Sequence, residues 1–539
     1  MINSIYSGYS NIVHRGPDNS SIQLLEIPGL SNNLVIGFHR LKINDVSNAG
    51  NQPFSPSEFH GTHLICNGEI YNFKELKKTF KLKTVSNSDC EVIPYLYHEC
   101  GIMKTLSLLD GVFSFVLVDR DILYIARDPI GIRPLFWGKN NNDEIMFSSE
   151  CKSLIGFCNE IKPFPPGCLC TINLNDCRMN FERYYHYIYP VIYDRFDNTK
   201  NNIRYLLTES VRKRLISDRK IGVFISGGVD SSIIAGLVKN ILKDNQIESF
   251  TIGLENSPDL ENARIVANHL NTTHHEVNFT VEEGIKHLND VIYHLESYDI
   301  TTIRASVPQY ILSKYIKEKT EIRVVLSGEG ADELFGGYLY FHYSPDQNSF
   351  IKETERLVKM LYQFDVLRTD RTTAAHGLEV RVPFLDKRFV NYILSLPADY
   401  RMPSSEVYSN EGKNQKHLNI EKYILRDSFS DENIIPENIL WRKKDAFSDA
   451  VGYSWVDGIK KYAESIVSDD ELIDAQNKYP NNTPMTKEAY LYRSRFEEMF
   501  ADNSSLIEHY WMPNWVSESI NDPSATYLNA HGFRNSEKS

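Results

Sequence analysis

The chain has 539 residues, 42% of them hydrophobic and 12% aromatic, enough apolar material for two or three folded domains and too much for a predominantly disordered protein. Its 58 basic and 71 acidic residues leave a net charge of −13, a poor match for a phosphate backbone, so no nucleic-acid partner is expected. No apolar run approaches the ~18 residues of a bilayer span, and the N-terminal MINSIYSGYSNIVHR lacks the basic start and apolar core of a secretory signal. A cytoplasmic chain with no membrane partner is expected.

Residues 1–185 mix short strands with a few helices. Runs rich in β-branched and aromatic residues at 34–38, 62–66, 111–119, 122–126 and 144–148 predict strands, and 73–83 and 89–100 predict helices. Two sheets with helices outside them are expected. Residues 186–200 show no periodicity and read as a linker. From 201 the texture changes to helix 203–216, strand 221–225, helix 231–242, strand 249–253, helix 260–270, strand 275–279, helices near 281–296 and 306–318, and strand 323–326. That alternation predicts βαβ units and a parallel sheet. Residues beyond 350 read as mainly helical, and 521–539 as a frayed tail. All eight cysteines lie between 66 and 177 with no C-x-x-C pair, which predicts reduced, mostly buried thiols rather than a zinc site.

The segment IGVFISGGVDSSIIAGL, 221–237, is strand, glycine-rich loop and helix in that order. Gly227 and Gly228 let successive N–H groups curl into an anion nest, and the helix N-terminus adds partial positive charge. Ser226, Ser231 and Ser232 add hydroxyls. Asp230 would repel phosphate unless a cation lay between them, so it implies Mg2+. The lysine of G-x-x-x-x-G-K-[ST] is missing, which disfavours γ-phosphoryl transfer. The loop is similar to the SGGxDSS loop of enzymes that cleave ATP between the α and β phosphates and hold pyrophosphate. A second glycine-rich loop, SGEGADELFGGY at 327–338, also follows a strand, and ligands bind at such carboxyl ends. Its Glu329, Asp332 and Glu333 suit Mg2+, a substrate ammonium or a general base.

These motifs come with HRGPD at 14–18, HRLKINDV at 39–46, NGEIYN at 67–72, SDCEV at 88–92, ARDPIGIRPLF at 126–136, SSECKSL at 148–154, FTIGLENSPDL at 250–260, SYDITTIRAS at 297–306, HGLEVRVPFLDK at 376–387 and WRKKDAFSDAVGYSW at 441–455. Taken in order, they resemble the glutamine-dependent asparagine synthetases over nearly the whole chain. The resemblance implies an α/β and α+β protein. Residues 1–185 would be an Ntn-hydrolase-like sandwich of the class II (type-2) glutamine amidotransferase kind, and 201–520 a parallel-sheet ATP-pyrophosphatase synthetase domain. It implies adenylation of the aspartate side chain by ATP and attack by ammonia, with aspartate, ATP, and glutamine or ammonia as small-molecule partners and a possible homodimer. Phe224, Ile252, Ser327 and Gly328 would flank the nucleotide. Ser226, Gly227, Gly228, Asp230 and Ser231 would hold pyrophosphate, with Mg2+ at Asp230. Thr301 and Arg304 would lie beside the phosphates or the aspartate, Lys444 would neutralise the α-phosphate in the transition state, and Glu329 would take a proton from the attacking ammonia. In the amide-donor half, Arg40 would bind the glutamine carboxylate, Asp89 its amino group, and Asn67 with Gly68 the oxyanion, with Glu69 alongside.

The family's glutaminase nucleophile is a cysteine exposed as residue one. Here Ile2 follows Met1, the first cysteine is Cys66, and HRGPD begins at 14. Some 15 to 20 residues are therefore expected to be missing, through a start placed too late or through loss of glutamine use in favour of ammonia. The rival readings are a β-lactam synthetase-like ligase and an inactive binding homologue; intact SGEGADE and TTIRAS segments favour the synthetase.

Overall fold

The computed structural model describes residues 2–27, 34–187, 190–243, 247–403, 420–444, 453–515 and 523. All of the expected tail at 521–539 but residue 523, and most of 445–455 in the WRKKDAFSDAVGYSW motif, lie outside them. In the N-terminal half, β1 (Asn19–Leu25) pairs antiparallel with β2 (Leu34–Arg40). The main sheet joins β3 (Thr62–Ile70), β4 (Gly111–Asp119), β5 (Ile122–Arg127), β9 (Cys168–Asn173) and β10 (Arg178–Arg183) in the order β10-β9-β5-β4-β3. A three-stranded sheet takes β6 (Phe136–Lys139), β7 (Ile145–Ser148) and β8 (Glu160–Pro163) in the order β7-β6-β8.

Side-chain alternation builds the layers. On β4, Phe113, Phe115 and Leu117 pack with Phe73, Leu76, Val92, Ile93 and Leu96 of two helices, while Val116 and Val118 turn to Ile36, Trp137, Ile145 and Phe147 of the smaller sheets. The result is helices on a sheet on a second layer of strands, the sandwich expected. Strands β1, β6, β8, β9 and β10 and the helix Ile2–Ser10 had no clear signal in the sequence.

The second half carries a sheet in the order β13-β12-β11-β14-β15, every pair parallel. Its strands are β11 (Ile221–Phe224), β12 (Glu248–Gly253), β13 (Thr273–Asn278), β14 (Val324–Leu326) and β15 (Glu379–Arg381). Strand order reverses between β11 and β14, so their carboxyl ends open a crevice between them. The helix Phe196–Arg214 begins inside the expected linker. Strand β15, three residues long, is an addition to the reading of 350 onward as helical.

A buried ion network joins the halves. Arg15 lies 2.7 Å from Glu150 and 2.8 Å from Asp370. Arg133 reaches Glu379 at 2.6 Å, and Arg371 reaches Glu150 at 2.8 Å and Glu296 at 2.9 Å. Arg381 pairs with Glu379 at 2.7 Å and with Glu69 at 3.2 Å. Burial alone would raise the Glu150 carboxyl, but Lys152 and Arg371 beside it hold it well below the usual range. At the edge of this network His14 and His294 meet edge to face, and Tyr310 packs against His376. Burial, with Lys152 nearby, pushes His294 down to about 3, and burial, with Lys314 nearby, pushes His376 down to about 4.

Both imidazoles are thus neutral when folded but titrate near 6.5 when unfolded. Between those values the unfolded chain binds more protons, so the stability they contribute is complete above about pH 6.5 and is lost as pH falls towards 4 for His376 and 3 for His294. Thermal melting followed from pH 7.5 downward should show this decline, and His294→Gln with His376→Gln should flatten it. An unchanged slope in that double variant would contradict the assignment.

Candidate active site

The loop after β11 turns sharply at Gly227, whose φ is +71°, a left-handed conformation that favours glycine. A Cβ there would collide with Asn262 on the helix Pro258–Leu270. Ser226 N donates to Ser231 Oγ at 3.1 Å, and Ser232 Oγ donates to Gly228 O at 2.6 Å. These bonds wind the loop directly into the helix Val229–Leu242. The loop after β14 packs against it: a Cβ on Gly328 would lie 2.7 Å from Ser231 N. The two motifs, about a hundred positions apart in sequence, thus form one cleft. Its walls include Phe224, Ser226, Gly228, Asp230, Ser231, Ile252, Thr301, Ser327, Gly328, Glu329 and Lys444.

Two lysines manage the acids. Lys422 Nζ lies 2.7 Å from Asp230 Oδ2 and 2.7 Å from Asp332 Oδ1, and its side chain is only 1% exposed. Lys444 pairs with the other oxygen of Asp332. Burial alone would raise the Asp332 carboxyl, but Lys422 and Lys444 hold it far below its ordinary value. Burial would lower Lys444, but Asp332 and Asp230 push it up, so it is a firm cation. Asp230 is raised by burial despite Lys422, and its Oδ1 is buried without a hydrogen-bond partner. A free carboxylate oxygen in an anion-binding turn fits a divalent cation carried in with phosphates. Among the described residues no cluster of three or more His, Cys, Asp or Glu could hold a metal, so Asp230 could supply only part of a coordination shell.

At the opposite end Arg368 donates to Glu329 Oε2 at 2.8 Å, to Asp365 at 2.9 Å and to Gln309 at 2.6 Å. Burial raises the Glu329 carboxyl, Arg368 opposes it and Asp365 adds to it; the net shift is upward. Tyr338 OH donates to Glu333 at 2.5 Å and sits 3.3 Å from Asp365. Thr301 Oγ1 is buried and unpartnered, a hydroxyl available to a ligand. Arg304 departs from expectation. It follows Thr301 by three residues on the helix Ile300–Lys319, is 2% exposed, and is held at 2.8 and 2.6 Å by Glu488. It lies one turn from Thr301 on the same side of the helix, but its guanidinium is bonded to Glu488 and it is not among the cleft-lining residues.

In the N-terminal half the five residues expected at glutamine cluster around the end of β3. Asp89 Oδ2 accepts from Ile70 N at 2.6 Å, and burial raises its carboxyl. Asn67 Nδ2 donates to Ser149 Oγ at 3.3 Å. A Cβ on Gly68 would strike Val112 O, so the strand passes too close to β4 for any other residue. Glu69 accepts from Asn44 at 2.6 Å and pairs with Arg381. Arg40 is buried and donates to Ser47 O at 2.8 Å, Asn51 at 2.9 Å, Asn44 O at 3.2 Å and Asp45 O, so it also braces the 44–51 loop. All eight cysteines are free, and Cys66 and Cys90 are buried.

Sequence reasoning missed Lys422, Asp365, Arg368, Gln309 and Tyr338. Of these only Tyr338, closing the SGEGADELFGGY motif, had a signal. Removing the Lys422 ammonium would leave Asp230 and Asp332 facing each other, and breaking a buried ion set typically costs about 3–5 kcal/mol. Lys422→Met should lower the denaturant midpoint accordingly, more than Lys422→Arg does. Wild-type stability in Lys422→Met would show that the bridge is not structural.

Two family models match the chain: the glutamine amidotransferase domain over residues 3–185 and asparagine synthase over 202–353 and 344–526. Among curated proteins, those named "Asparagine synthetase [glutamine-hydrolyzing]" are similar throughout. The Gallus gallus protein is 43% identical, and those of Mus musculus and Homo sapiens are each 42% identical. Each match covers 96% of this chain and 94% of the relative. With the two loops meeting in one cleft and a relationship of this length and identity, the chain belongs to the asparagine synthetase family.

Proposed function

We propose that the protein makes L-asparagine from L-aspartate and ATP through a β-aspartyl-AMP intermediate, releasing AMP and pyrophosphate, with nitrogen from glutamine or free ammonia. The observation that carries this reading is the cleft itself. A lysine-rich anion site built on Asp230, Asp332, Lys422 and Lys444 faces a carboxylate end built on Glu329, Glu333, Asp365 and Arg368. A nucleotide fits the first and an amino acid with a cationic amine fits the second.

The adenine would lie against Phe224 and Ile252, next to Ser327 and Gly328. The loop N–H groups and the hydroxyls of Ser226 and Ser231, with Gly227 and Gly228, would hold the β and γ phosphates. Mg2+ at Asp230 would supply charge neutralisation to the leaving pyrophosphate. Lys444, kept protonated by its acidic neighbours, would meet the charge that builds on the α-phosphate as the aspartate carboxylate attacks. Thr301 would donate its free hydroxyl to a phosphate or to the aspartate. Arg304, expected to do the same, is better read as a brace between its helix and Glu488. Glu329 would accept the proton that ammonia sheds on forming the amide. Residues 1–185 would provide the amide-donor domain, with Arg40, Asn67, Gly68, Glu69 and Asp89 around the glutamine, and 201–520 the synthetase domain. Free, mostly buried thiols support a cytoplasmic setting.

Incubation with aspartate, ATP and ammonium should yield asparagine, AMP and pyrophosphate in equal amounts; ADP and phosphate would contradict the reading. Asp230→Asn should nearly abolish pyrophosphate release at saturating Mg2+, and wild-type release would remove Asp230 from the phosphate site. Glu329→Gln should slow amide formation about 10²–10⁴-fold, the usual worth of a positioned proton acceptor, with little change in ATP affinity. A loss confined to ATP affinity would refute the proton-transfer role.

A further inference from the structure

We propose that Arg368 is a positioning residue that keeps Glu329 ionised and aimed for the amide-forming step. The inference rests on the function proposed above and adds to it the group that tunes its base. In that step the ammonia lone pair forms a C–N bond to the activated side-chain carbonyl. One N–H proton passes to Glu329, and the C–O bond to AMP breaks, AMP leaving with the electron pair. A protonated Glu329 could not take part.

Its surroundings push it towards that useless form. Burial disfavours the charge, and Asp365 adds repulsion. Glu333 belongs to the same acidic end and is tied towards Asp365 through the Tyr338 hydroxyl. Among the described residues five other cations line the cleft: Lys422 and Lys444 are engaged by Asp230 and Asp332, Arg426 by Glu421 and Arg442 by Asp259, and Lys443 follows Arg442 in the chain. From the helix Ile300–Lys319 the facing group is Gln309, which is neutral. Arg368 is the cation bonded to Glu329, at 2.8 Å through Oε2, which leaves Oε1 as the oxygen without an arginine partner. The guanidinium is itself fixed by Gln309 at 2.6 Å and Asp365 at 2.9 Å, so its planar fork sets the carboxylate's orientation. The helix that carries it, Asp365–Ala374, is anchored two and three residues further on. Asp370 meets Arg15 at 2.8 Å, and Arg371 meets Glu150 at 2.8 Å. The arginine that holds the base thus sits on an element that cannot slide without breaking the buried contacts between the halves.

The test is ammonia-dependent asparagine formation followed from about pH 6 to 9 at constant free NH3. Wild type is compared with Arg368→Lys, Arg368→Met, Glu329→Gln and the double variant Glu329→Gln/Arg368→Met. Losing the cation should move the acid limb of the Arg368→Met profile up by about one pH unit or more. Turnover near pH 7 should fall about 10-fold or more and recover as pH rises. Arg368→Lys, which keeps charge without the fork, should show a smaller shift. Because Arg368 acts through Glu329, the double variant should be no slower than Glu329→Gln alone. If Arg368→Met does not fold, Arg368→Lys carries the same test, and an unmoved limb there overturns the proposal. Losses that multiply in the double variant would make Arg368 merely structural. Wild-type synthesis with unmoved limbs would overturn this inference alone, whereas no asparagine from wild type would overturn the function on which it rests.

Discussion

The cleft depends on one ammonium group. Asp230 and Asp332 come from loops about a hundred positions apart, and the chain is acidic overall. Brought together without a counter-charge, the two carboxylates would repel each other and any phosphate that approached. Lys422 sits 2.7 Å from both and turns a repulsive pair into a bridge. Lys444 on the other side of Asp332 makes the cluster two cations to two anions. On the function proposed, an anionic ligand would enter that balance, and Asp230 Oδ1, buried without a hydrogen-bond partner, would face a metal brought with it. Glycine at 328 is the steric counterpart: with a 2.7 Å clearance from its Cβ position to Ser231 N, no larger residue lets the loops approach so closely.

The acyl end has the opposite balance. Glu329, Glu333 and Asp365 surround one arginine, so the site has spare negative charge where a substrate ammonium would sit. The same helix runs on from Arg368 to Asp370 and Arg371, which join the ion network between the halves. Buried ion pairs of this kind add little net stability, because desolvation offsets their attraction. Their geometric demands are strict, however, and they fix how the amide-donor half meets the synthetase half. Glu69 belongs to both sets, beside Asn67 and Gly68 and paired with Arg381 of β15. A change at Glu69 therefore bears directly on the edge strand of the parallel sheet.

Much of this was legible in the sequence, and the residues that were not have physical reasons. The βαβ rhythm and the two glycine loops are local patterns, and they located the cleft before any coordinates. Strand β15 is three residues long, too short for any periodicity. Strands β6 and β8 are four residues each and carry Gly138 and Pro163, which dilute a strand signal. Lys422 has no motif; its importance lies in a left-handed backbone at φ +58° and in burial between acids supplied from elsewhere. Arg368 and Asp365 look like surface charges on an ordinary helix until Glu329 is seen opposite. Arg304 shows the reverse: residues three apart on a helix are neighbours, which put it beside Thr301 in the sequence, whereas its guanidinium is bonded to Glu488, 184 positions away.

The central claim is that aspartate is activated at the α-phosphate of ATP in this cleft. It is tested most directly with aspartate labelled with oxygen-18 in its side-chain carboxylate. Attack at the α-phosphate followed by displacement with ammonia must leave one labelled oxygen in AMP, read by mass spectrometry of the nucleotide. Label appearing in AMP, with unlabelled pyrophosphate, is the result this account predicts. Label in inorganic phosphate, or AMP free of label while asparagine accumulates, would contradict it.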